Sequence, residues 1–540
     1  MTDTVTDVVT HQPQPTPPPH INRMAEYATM VMQTGDAQKC LSGLKSLRIL
    51  LEYSEPPIQE VFDSGVVPHM VQLLSQGDAQ PVEIQIELVE CLHFLSFGTR
   101  AQSEALVTLN VLPLMVPHLR NCQYPNIQQA ALMLFGNIAS ENAALRDAVL
   151  AEGVLQTVLS VLENNNQLLT TEPFITDASW LLQIFCTSHP RPAWAIISLA
   201  LPVLVQVLKN SEANPNSVFR AVTALKILTE DSSNDQHQIQ TVQQLGVAPR
   251  LVELMQHKVQ KIRACAVDTL ANMASGTSQQ IEVVLQAGVL VDDVLLNLLM
   301  SGSPAIQQSI GQMLCNLAAE SIDVNAKILA AKFVPVAVAL LQQTPGDETV
   351  QKEMCWLLAN VLGLGTDAQV GHVMNHGALS AILTILPDQD FDVQFAVLRS
   401  INRVLQFGAV HQQRRGLSTN PYAEIICADH GEVVLKDLQR ATEDREDLYD
   451  LIQEILTTYF DSRETVESAA LNESLEGLQL DKIPNQSASI LVSPSQMAHE
   501  PLEDIPELQD IHLRTPLEIH LHKSLQALHA RFKSMIQQQQ

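Results

Sequence analysis

The sequence predicts an all-α protein in which short helices stack in series into one long solenoid. Three observations carry this prediction. A phrase of the form GVxPxLVxLL returns about every 42 to 47 residues. The composition is 46% hydrophobic but only 4% aromatic, which suits stacked helices rich in Leu, Val and Ala. Glycine and proline recur at fixed places in the phrase, where they begin and end helices.

Each repeat is predicted to hold a short helix, a second helix that carries the phrase, and a longer third helix. A helical repeat of this length is typical of armadillo and HEAT arrays. We therefore expect a right-handed superhelical solenoid of about ten armadillo repeats over residues 23–460. The phrase begins at Gly65, Asn110, Gly153, Leu199, Gly246, Gly288, Lys332 and Gly377.

The residues at the start of the phrase explain why a new helix begins there. A glycine can adopt the left-handed conformation needed at a helix end. A proline two or three residues later fits the first helical turn, where its missing N–H group costs nothing.

Three segments lie outside the predicted solenoid. Residues 1–22 are expected to be a disordered, Pro-rich leader. Residues 461–510 are rich in Ser, Glu, Gln and Pro and are expected to be a disordered linker or tail. Residues 511–540 have the apolar spacing of a short amphipathic helix. The sequence favours neither of two roles for this helix, packing on the end of the solenoid or docking to a partner.

The charge and cysteine content limit the class of protein. With 31 Lys and Arg against 59 Asp and Glu, the net charge is −28. Such a surface repels nucleic acid and anionic membranes and attracts cationic polypeptides, although it would also serve solubility alone. The eight cysteines form no CxxC pair and are predicted to be buried thiols of a reducing compartment. With no signal peptide or membrane span visible, we expect a soluble intracellular protein.

Motifs for catalysis are absent from the sequence. It contains no Gly-rich phosphate loop, HExxH motif or nucleophile elbow, and no histidines at metal-ligand spacing. We therefore predict no enzyme activity, no catalytic residues, no cofactor and no metal site.

Binding residues are expected on the third helices, which line the inner face of such arrays. Aligning the repeats on the first residue of the phrase gives two positions, four residues apart, on one face of each third helix. These pairs are Glu90/Phe94, Met133/Asn137, Trp180/Ile184, Thr223/Ile227, Asp268/Asn272, Gln312/Asn316, Trp356/Asn360 and Val397/Ile401.

This ladder suits an extended basic peptide. An Asn amide can both donate to and accept from a peptide backbone, and a Trp face attracts Lys and Arg side chains. For a single Asn, a hydrogen bond to nearby backbone would be the better interpretation. Four Asn at one aligned position favour a binding role: Asn137, Asn272, Asn316 and Asn360.

The chain resembles the importin-α (karyopherin-α) family of armadillo-repeat nuclear import adaptors. The resemblance covers residues 40–460. Its most specific parts are the first repeat, SEPPIQEVFDSGVVPHMVQLL, and the closing segment, NPYAEIICADHGEVVLKDLQRATEDREDLYDLIQEILTTYF. FGNIASEN and LANMASGTSQQIEVVLQAG carry it through the middle.

The resemblance implies two peptide-binding sites along the groove. A major site would use Gly98, Ser103, Asn137, Glu141 and Trp180. A minor site would use Asn272, Asn316, Glu353, Trp356 and Asn360. Glu141 would pair with a lysine, and Gly98 would offer its carbonyl oxygen to the main lysine pocket, which Ser103 completes.

Two departures from the family pattern are visible. Glu90/Phe94, Met133 and Ile184 stand where the family has Trp or Asn. No Lys or Arg precedes Arg23, so the family's basic importin-β-binding segment is not recognisable.

The resemblance implies a nuclear import adaptor that binds basic nuclear localisation signals of cargo proteins in an acidic concave groove. Importin-β and an export factor are further candidate partners, and cytoplasm and nucleus the expected locations. The alternative is a cytoskeletal or signalling scaffold of armadillo repeats that no longer acts in transport.

Overall fold

Helices make up the regular structure of the chain. A computed structural model describes residues 23–460, except for residues 34, 121–122, 170–171, 188, 211–212 and 231–235. No strand occurs among these residues. The predicted leader (1–22), linker (461–510) and terminal helix (511–540) lie outside the described residues.

The described helices form a pair followed by nine units of three. The pair consists of α1 (Met24–Met32) and α2 (Ala37–Leu51). The first helices of the units are α3 (Ile58–Asp63), α6 (Arg100–Thr108), α9 (Ala143–Ala151), α12 (Trp194–Ile197), α15 (Gln236–Gln244), α18 (Ser278–Gln286), α21 (Ile322–Ala330), α24 (Asp367–Asn375) and α27 (Pro421–Ala428). The second helices are α4 (Val66–Leu74), α7 (Val111–Arg120), α10 (Val154–Asn164), α13 (Leu201–Lys209), α16 (Ala248–Leu254), α19 (Val294–Ser301), α22 (Phe333–Leu341), α25 (Ala378–Ile385) and α28 (Gly431–Ala441).

The third helices are the longest element of each unit, at 14 to 25 residues in the described part of the chain. They are α5 (Val82–Leu95), α8 (Pro125–Glu141), α11 (Phe174–Thr187), α14 (Pro215–Glu230), α17 (Gln260–Met273), α20 (Pro304–Glu320), α23 (Glu348–Leu364), α26 (Phe391–Arg415) and α29 (Glu446–Tyr459). Short 3-10 turns occur at Gly77–Ala79, Asn166–Leu169, Ser198–Ala200 and Leu386–Asp388. The prediction of an all-α armadillo solenoid is confirmed.

The junction before the second helix adopts the predicted left-handed backbone. Gly65 and Gly377 have φ of 73° and 75°. Where glycine is replaced, the conformation persists, since Asn110 and Lys332 both have φ of 63°. In the fourth unit, by contrast, the turn Ser198–Ala200 leads directly into α13.

Successive third helices pack against one another along the whole described array. Their packing is more extensive than that between successive second helices. This difference is expected when the third helices lie on the inside of a curved stack. The buried residues form one continuous hydrophobic core from Met24 to Phe460.

The cysteines agree with a reduced interior. None of the cysteines in the described residues forms a disulfide, and Cys91, Cys186, Cys315 and Cys355 are among the buried ones. Burial raises the pKa of the Cys186 and Cys355 thiols to about 12.

Across the described residues, no single helix has the length and apolar character to cross a membrane. The helices α21 and α22 meet those criteria only when joined, and they are bent by 77°.

Candidate peptide-binding groove

The half-exposed faces of the third helices form one surface, the groove. Its side chains recur at three- and four-residue spacing, as the face of a helix requires. In α8, Met133 and Asn137 are half-buried while Leu134 and Phe135 are buried. The register predicted from the sequence is therefore correct for this helix.

Trp180 packs on Gly136, the residue before Asn137, at the N-terminal end of the groove. A Cβ atom added at Gly136 would overlap the indole ring of Trp180. The Trp180 indole of α11 thus lies directly on the backbone of α8 at Gly136, the residue before Asn137. The role of Trp180 and Asn137 in a major peptide site stays a prediction.

In the Asn137 amide, the nitrogen makes a hydrogen bond to another described residue and the oxygen does not. Its Nδ2 donates to Ser96 Oγ at 2.8 Å, which links α8 to the end of α5. Its Oδ1 accepts no hydrogen bond from a described residue. This oxygen can therefore accept from the N–H group of a bound peptide.

Gly98 and Ser103 differ in accessibility. Gly98 is half-buried in the turn between α5 and α6, and within the described residues its carbonyl oxygen accepts no hydrogen bond. Ser103 is fully buried, and its Oγ has no hydrogen-bond partner there. The Gly98 carbonyl oxygen is therefore uncommitted, and its part in a lysine pocket stays a prediction. The expectation that Ser103 completes this pocket is corrected, because Ser103 is fully buried.

Two carboxylates lie on the helices that form the N-terminal end of the groove. Glu141, the last residue of α8, is half-buried and forms no ion pair with a described residue. Asp177, one turn before Trp180, accepts from Gln129 Nε2 at 2.8 Å. Burial raises the pKa of Asp177, and Glu172 adds to the increase. The sequence analysis did not include Asp177 among the binding residues. Its position three residues before Trp180 places it on the same helix face and could have indicated it.

An aromatic group takes the position where the family pattern has Asn. The rings of His93 and Phe94 lie 5.0 Å apart, and those of His93 and Phe97 lie 5.1 Å apart. Phe97 is 52% exposed. This corner of the groove therefore offers apolar contact instead of an amide.

Asn272 in α17 remains at the groove surface but is held by its neighbour. Its Nδ2 donates to Lys226 O and to Thr229 Oγ1, each at 3.2 Å. Asp268 is paired internally, with Lys226 Nζ at 2.9 Å and Ser309 Oγ at 2.6 Å. The middle of the groove therefore offers less uncommitted negative charge than its N-terminal end.

Three residues of the predicted minor site are buried. Asn316 and Asn360 have no exposed surface and Trp356 is 1% exposed. Asn360 Nδ2 donates to Cys315 O at 3.0 Å, and Trp356 Nε1 has no hydrogen-bond partner among the described residues. The expectation that these side chains face a peptide is corrected, because tight packing of α23 between α20 and α26 encloses them.

Glu353, the acidic member of the predicted minor site, stays half-exposed. Burial raises its carboxyl pKa to about 7. Cys315 Sγ donates to Glu353 O at 3.1 Å and lies 3.8 Å from Oε2. Near neutral pH this carboxyl therefore carries only part of a negative charge.

The predicted pair on α26 is out of register. Val397 and Ile401 are fully buried in the core. The half-exposed positions lie two residues later, at Arg399 and Arg403. The number of residues between the junction and the half-exposed face differs from unit to unit, so an alignment on Gly377 does not identify the exposed pair.

Three of the aligned Asn side chains make the same kind of hydrogen bond. Asn137, Asn272 and Asn360 each donate to the preceding third helix, at Ser96, Lys226 and Cys315. Hydrogen bonding to neighbouring protein groups, which the sequence analysis ranked below peptide binding for these Asn, is therefore present in the structure. No group of three or more metal-ligating side chains occurs in the described part of the chain.

Comparisons with known proteins agree with this architecture. Residues 235–275 match the family described as Armadillo/beta-catenin-like repeat. The chain is 26% identical over 434 residues to Importin subunit alpha-1b of Oryza sativa subsp. japonica, covering 79% of this chain and 77% of that protein. It is 28% identical over 431 residues to Importin subunit alpha-3 of Arabidopsis thaliana, covering 79% and 77%.

Two further matches differ in extent. A stretch of 203 residues is 33% identical to Importin subunit alpha-2 of Arabidopsis thaliana, covering 38% of this chain and 36% of that protein. Among solved structures, the crystal structure of an engineered protein matches with a TM-score of 0.64 and 22% identity, covering 81% of this chain and 98% of that chain. That second likeness concerns the fold alone.

Proposed function

Because the chain is a divergent member of the importin-α family of armadillo-repeat proteins, we propose that it is a nuclear import adaptor. In this proposal the N-terminal end of the groove binds a basic nuclear localisation signal of a cargo protein. The observation that carries the proposal is the contact of Trp180 with α8 beside Asn137, with Glu141 and Asp177 close by in sequence on the same two helices.

The chemistry of these groups fits an extended lysine-rich segment. The Asn137 oxygen can hold a peptide N–H group without β-pairing. The Trp180 face attracts an ammonium group, at about 0.5–2 kcal/mol depending on its exposure. A carboxylate such as Glu141 adds a charge-assisted hydrogen bond.

The rest of the groove suggests that the ligand is short. Phe94 and Ile184 remove two amide clamps, and each lost hydrogen bond costs about 0.5–1.5 kcal/mol. The enclosed Trp356 and Asn360 offer nothing to a second basic cluster. We therefore propose one basic cluster per cargo, bound between α5 and α11.

A peptide titration tests this proposal. A fluorescent lysine-rich peptide should bind the full chain with an affinity that falls as salt rises. Trp180→Ala and Asn137→Ala should each weaken binding roughly 5- to 30-fold, as expected for losing about 1–2 kcal/mol. Trp194→Ala, at a half-exposed Trp on the first helix α12, is the matched control and should leave binding unchanged.

The scaffold alternative rests on a separate observation, the burial of the predicted minor site. Binding that ignores salt, or survives the double variant Trp180→Ala/Asn137→Ala, would support the scaffold. A pull-down from cell extract would then distinguish the two, since an adaptor should recover importin-β and an export factor. For the adaptor we also propose movement between cytoplasm and nucleus, which fluorescence microscopy of a tagged chain can follow.

A further inference from the structure

Arg399 and Arg403 form an unexpected cationic pair at the C-terminal end of the groove. They lie four residues apart on the half-exposed face of α26. Like charges at this spacing repel each other, so the pair is unfavourable unless an anion joins it. Their position at the end of a groove in a chain of net charge −28 calls for an explanation.

Neither arginine is paired with a carboxylate among the described residues. The Arg399 guanidinium lies 5.9 Å from the centroid of the Phe395 ring. Arg403 lies 5.2 Å from the Phe407 centroid and reaches Gly365 O at 3.5 Å. Burial lowers the pKa of both guanidiniums, and no carboxylate raises it.

The acidic side chains Asp390 and Glu353, near the start of α26, do not supply a full negative charge. Asp390 pairs with Lys352 Nζ at 2.6 Å. Glu353 carries only part of a negative charge near neutral pH, because burial raises its carboxyl pKa to about 7. Apart from the bond from Arg403 to Gly365 O, neither guanidinium donates to a described residue. Both therefore retain N–H groups for a carboxylate ligand, which guanidinium groups bind in a bidentate manner.

The chain itself continues close to this pair. Helix α29 packs on α26, and Arg445, just before α29, lies 5.3 Å from the ring centroid of Phe391 at the start of α26. The two helices thus start together and run in the same direction. At about 1.5 Å per residue, the end of α29 lies level with Arg403.

The segment that follows α29 has the complementary charge. Residues 461–476 contain one basic residue, Arg463, and five carboxylates: Asp461, Glu464, Glu467, Glu473 and Glu476. Packed helices are about 10 Å apart, a gap that roughly three to five extended residues can cross. Attachment to the solenoid also gives the segment a high effective concentration at the site.

We propose that residues 461–476 dock in cis on Arg399 and Arg403 and occupy the C-terminal end of the groove. This proposal does not depend on the import function. It assigns that end of the groove to an acidic segment, whereas the N-terminal end suits a basic one.

Photo-crosslinking of the full chain tests the docking. A photoreactive amino acid at Leu471 should yield intramolecular cross-links to α26, mapped by mass spectrometry. The yield should fall at least fivefold in Arg399→Gln/Arg403→Gln and in 0.5 M salt. The control Arg414→Gln/Arg415→Gln changes two exposed arginines on the same helix and should leave the yield unchanged.

Two results would overturn the proposal. One is an equal yield of α26 cross-links in Arg399→Gln/Arg403→Gln. The other is cross-links that vanish on dilution, which would place the segment on a second copy of the chain. If the arginine variant fails to fold, Glu464→Gln/Glu467→Gln/Glu473→Gln/Glu476→Gln decides the matter, since it leaves the solenoid unchanged and should also abolish the cross-links.

Discussion

Asn137 combines a structural hydrogen bond with an oxygen that is open to the proposed peptide ligand. Its Nδ2 joins α8 to Ser96, while its Oδ1 stays available at the groove surface. Asn360 has the first role but lacks the second, because no part of it is exposed. An aligned amide is therefore a binding candidate only where the neighbouring helices leave its oxygen open.

Gly136 provides the most local test of the groove. In Gly136→Ala, the added methyl group should displace the Trp180 indole from α8, because the two would overlap. We expect binding of the lysine-rich peptide to weaken about 3- to 30-fold, within the range of a lost cation–π contact. In the Trp180→Ala background the same substitution should have no further effect on the titration; an equal loss in both backgrounds would contradict the geometry.

The raised pKa of the Glu353 carboxyl predicts that the stability of the protein depends on pH. Its pKa is raised from an ordinary 4.5 to about 7 in the folded protein, so the folded state binds the proton more tightly than the unfolded state. Stability should therefore fall as pH rises from about 4.5 to 7 and then level off. Because the carboxyl is partly exposed, we expect Glu353→Gln to stabilise the protein by about 1–2 kcal/mol at pH 8 and by little at pH 4.5.

Denaturant unfolding at the two pH values measures this difference. Glu348→Gln, at an exposed position on the same helix, is the control and should show no such contrast. A gain of equal size at both pH values would show that the burial of the Glu353 carboxyl is not the cause.

At the scale of helices, the junctions before the second helices other than α13 impose one backbone conformation on different residues. Gly377 adopts it without strain, whereas Lys332 adopts the same left-handed φ with a side chain. That conformation costs an L residue about 1–2 kcal/mol. The start of α22 is thus the less favourable of the two.

Lys332→Gly should therefore stabilise the protein. We expect a gain of about 0.5–1 kcal/mol, since relief of the left-handed backbone outweighs the added freedom of the unfolded chain. Thermal unfolding measures it, and Gly377→Lys should give the reverse. A destabilised Lys332→Gly would mean that the Lys332 side chain contributes more than its backbone costs.

Over the whole molecule, contacts run mainly between neighbouring units, so damage should stay local. Asn360→Ala removes a buried hydrogen bond to Cys315 O and should cost about 1–3 kcal/mol. Hydrogen exchange should then speed up in α20, α23 and α26 while α5 and α8 remain protected. Asn402→Ala, at a half-exposed position of α26, is the control; uniform loss of protection would contradict local coupling.

The sequence predicted the repeat architecture because each unit repeats the same apolar phrase and junction. It identified Trp180 and Asn137 as groove candidates because both lie one helix beyond the start of a repeated phrase, at Gly153 and Asn110. It could not predict the burial of Trp356 and Asn316, since burial depends on how closely adjacent third helices approach. Nor could it predict that Arg399 is half-exposed, because the distance from the junction to the groove face differs from unit to unit.

The direction of the amide bonds has a consequence for biosynthesis. Asn137, Asn272 and Asn360 each reach back to the preceding third helix, whose acceptor leaves the ribosome first. A nascent chain folds from its N-terminus as it emerges. Each of these three asparagines therefore finds its hydrogen-bond acceptor already synthesised, which favours N-to-C assembly at those three helix pairs.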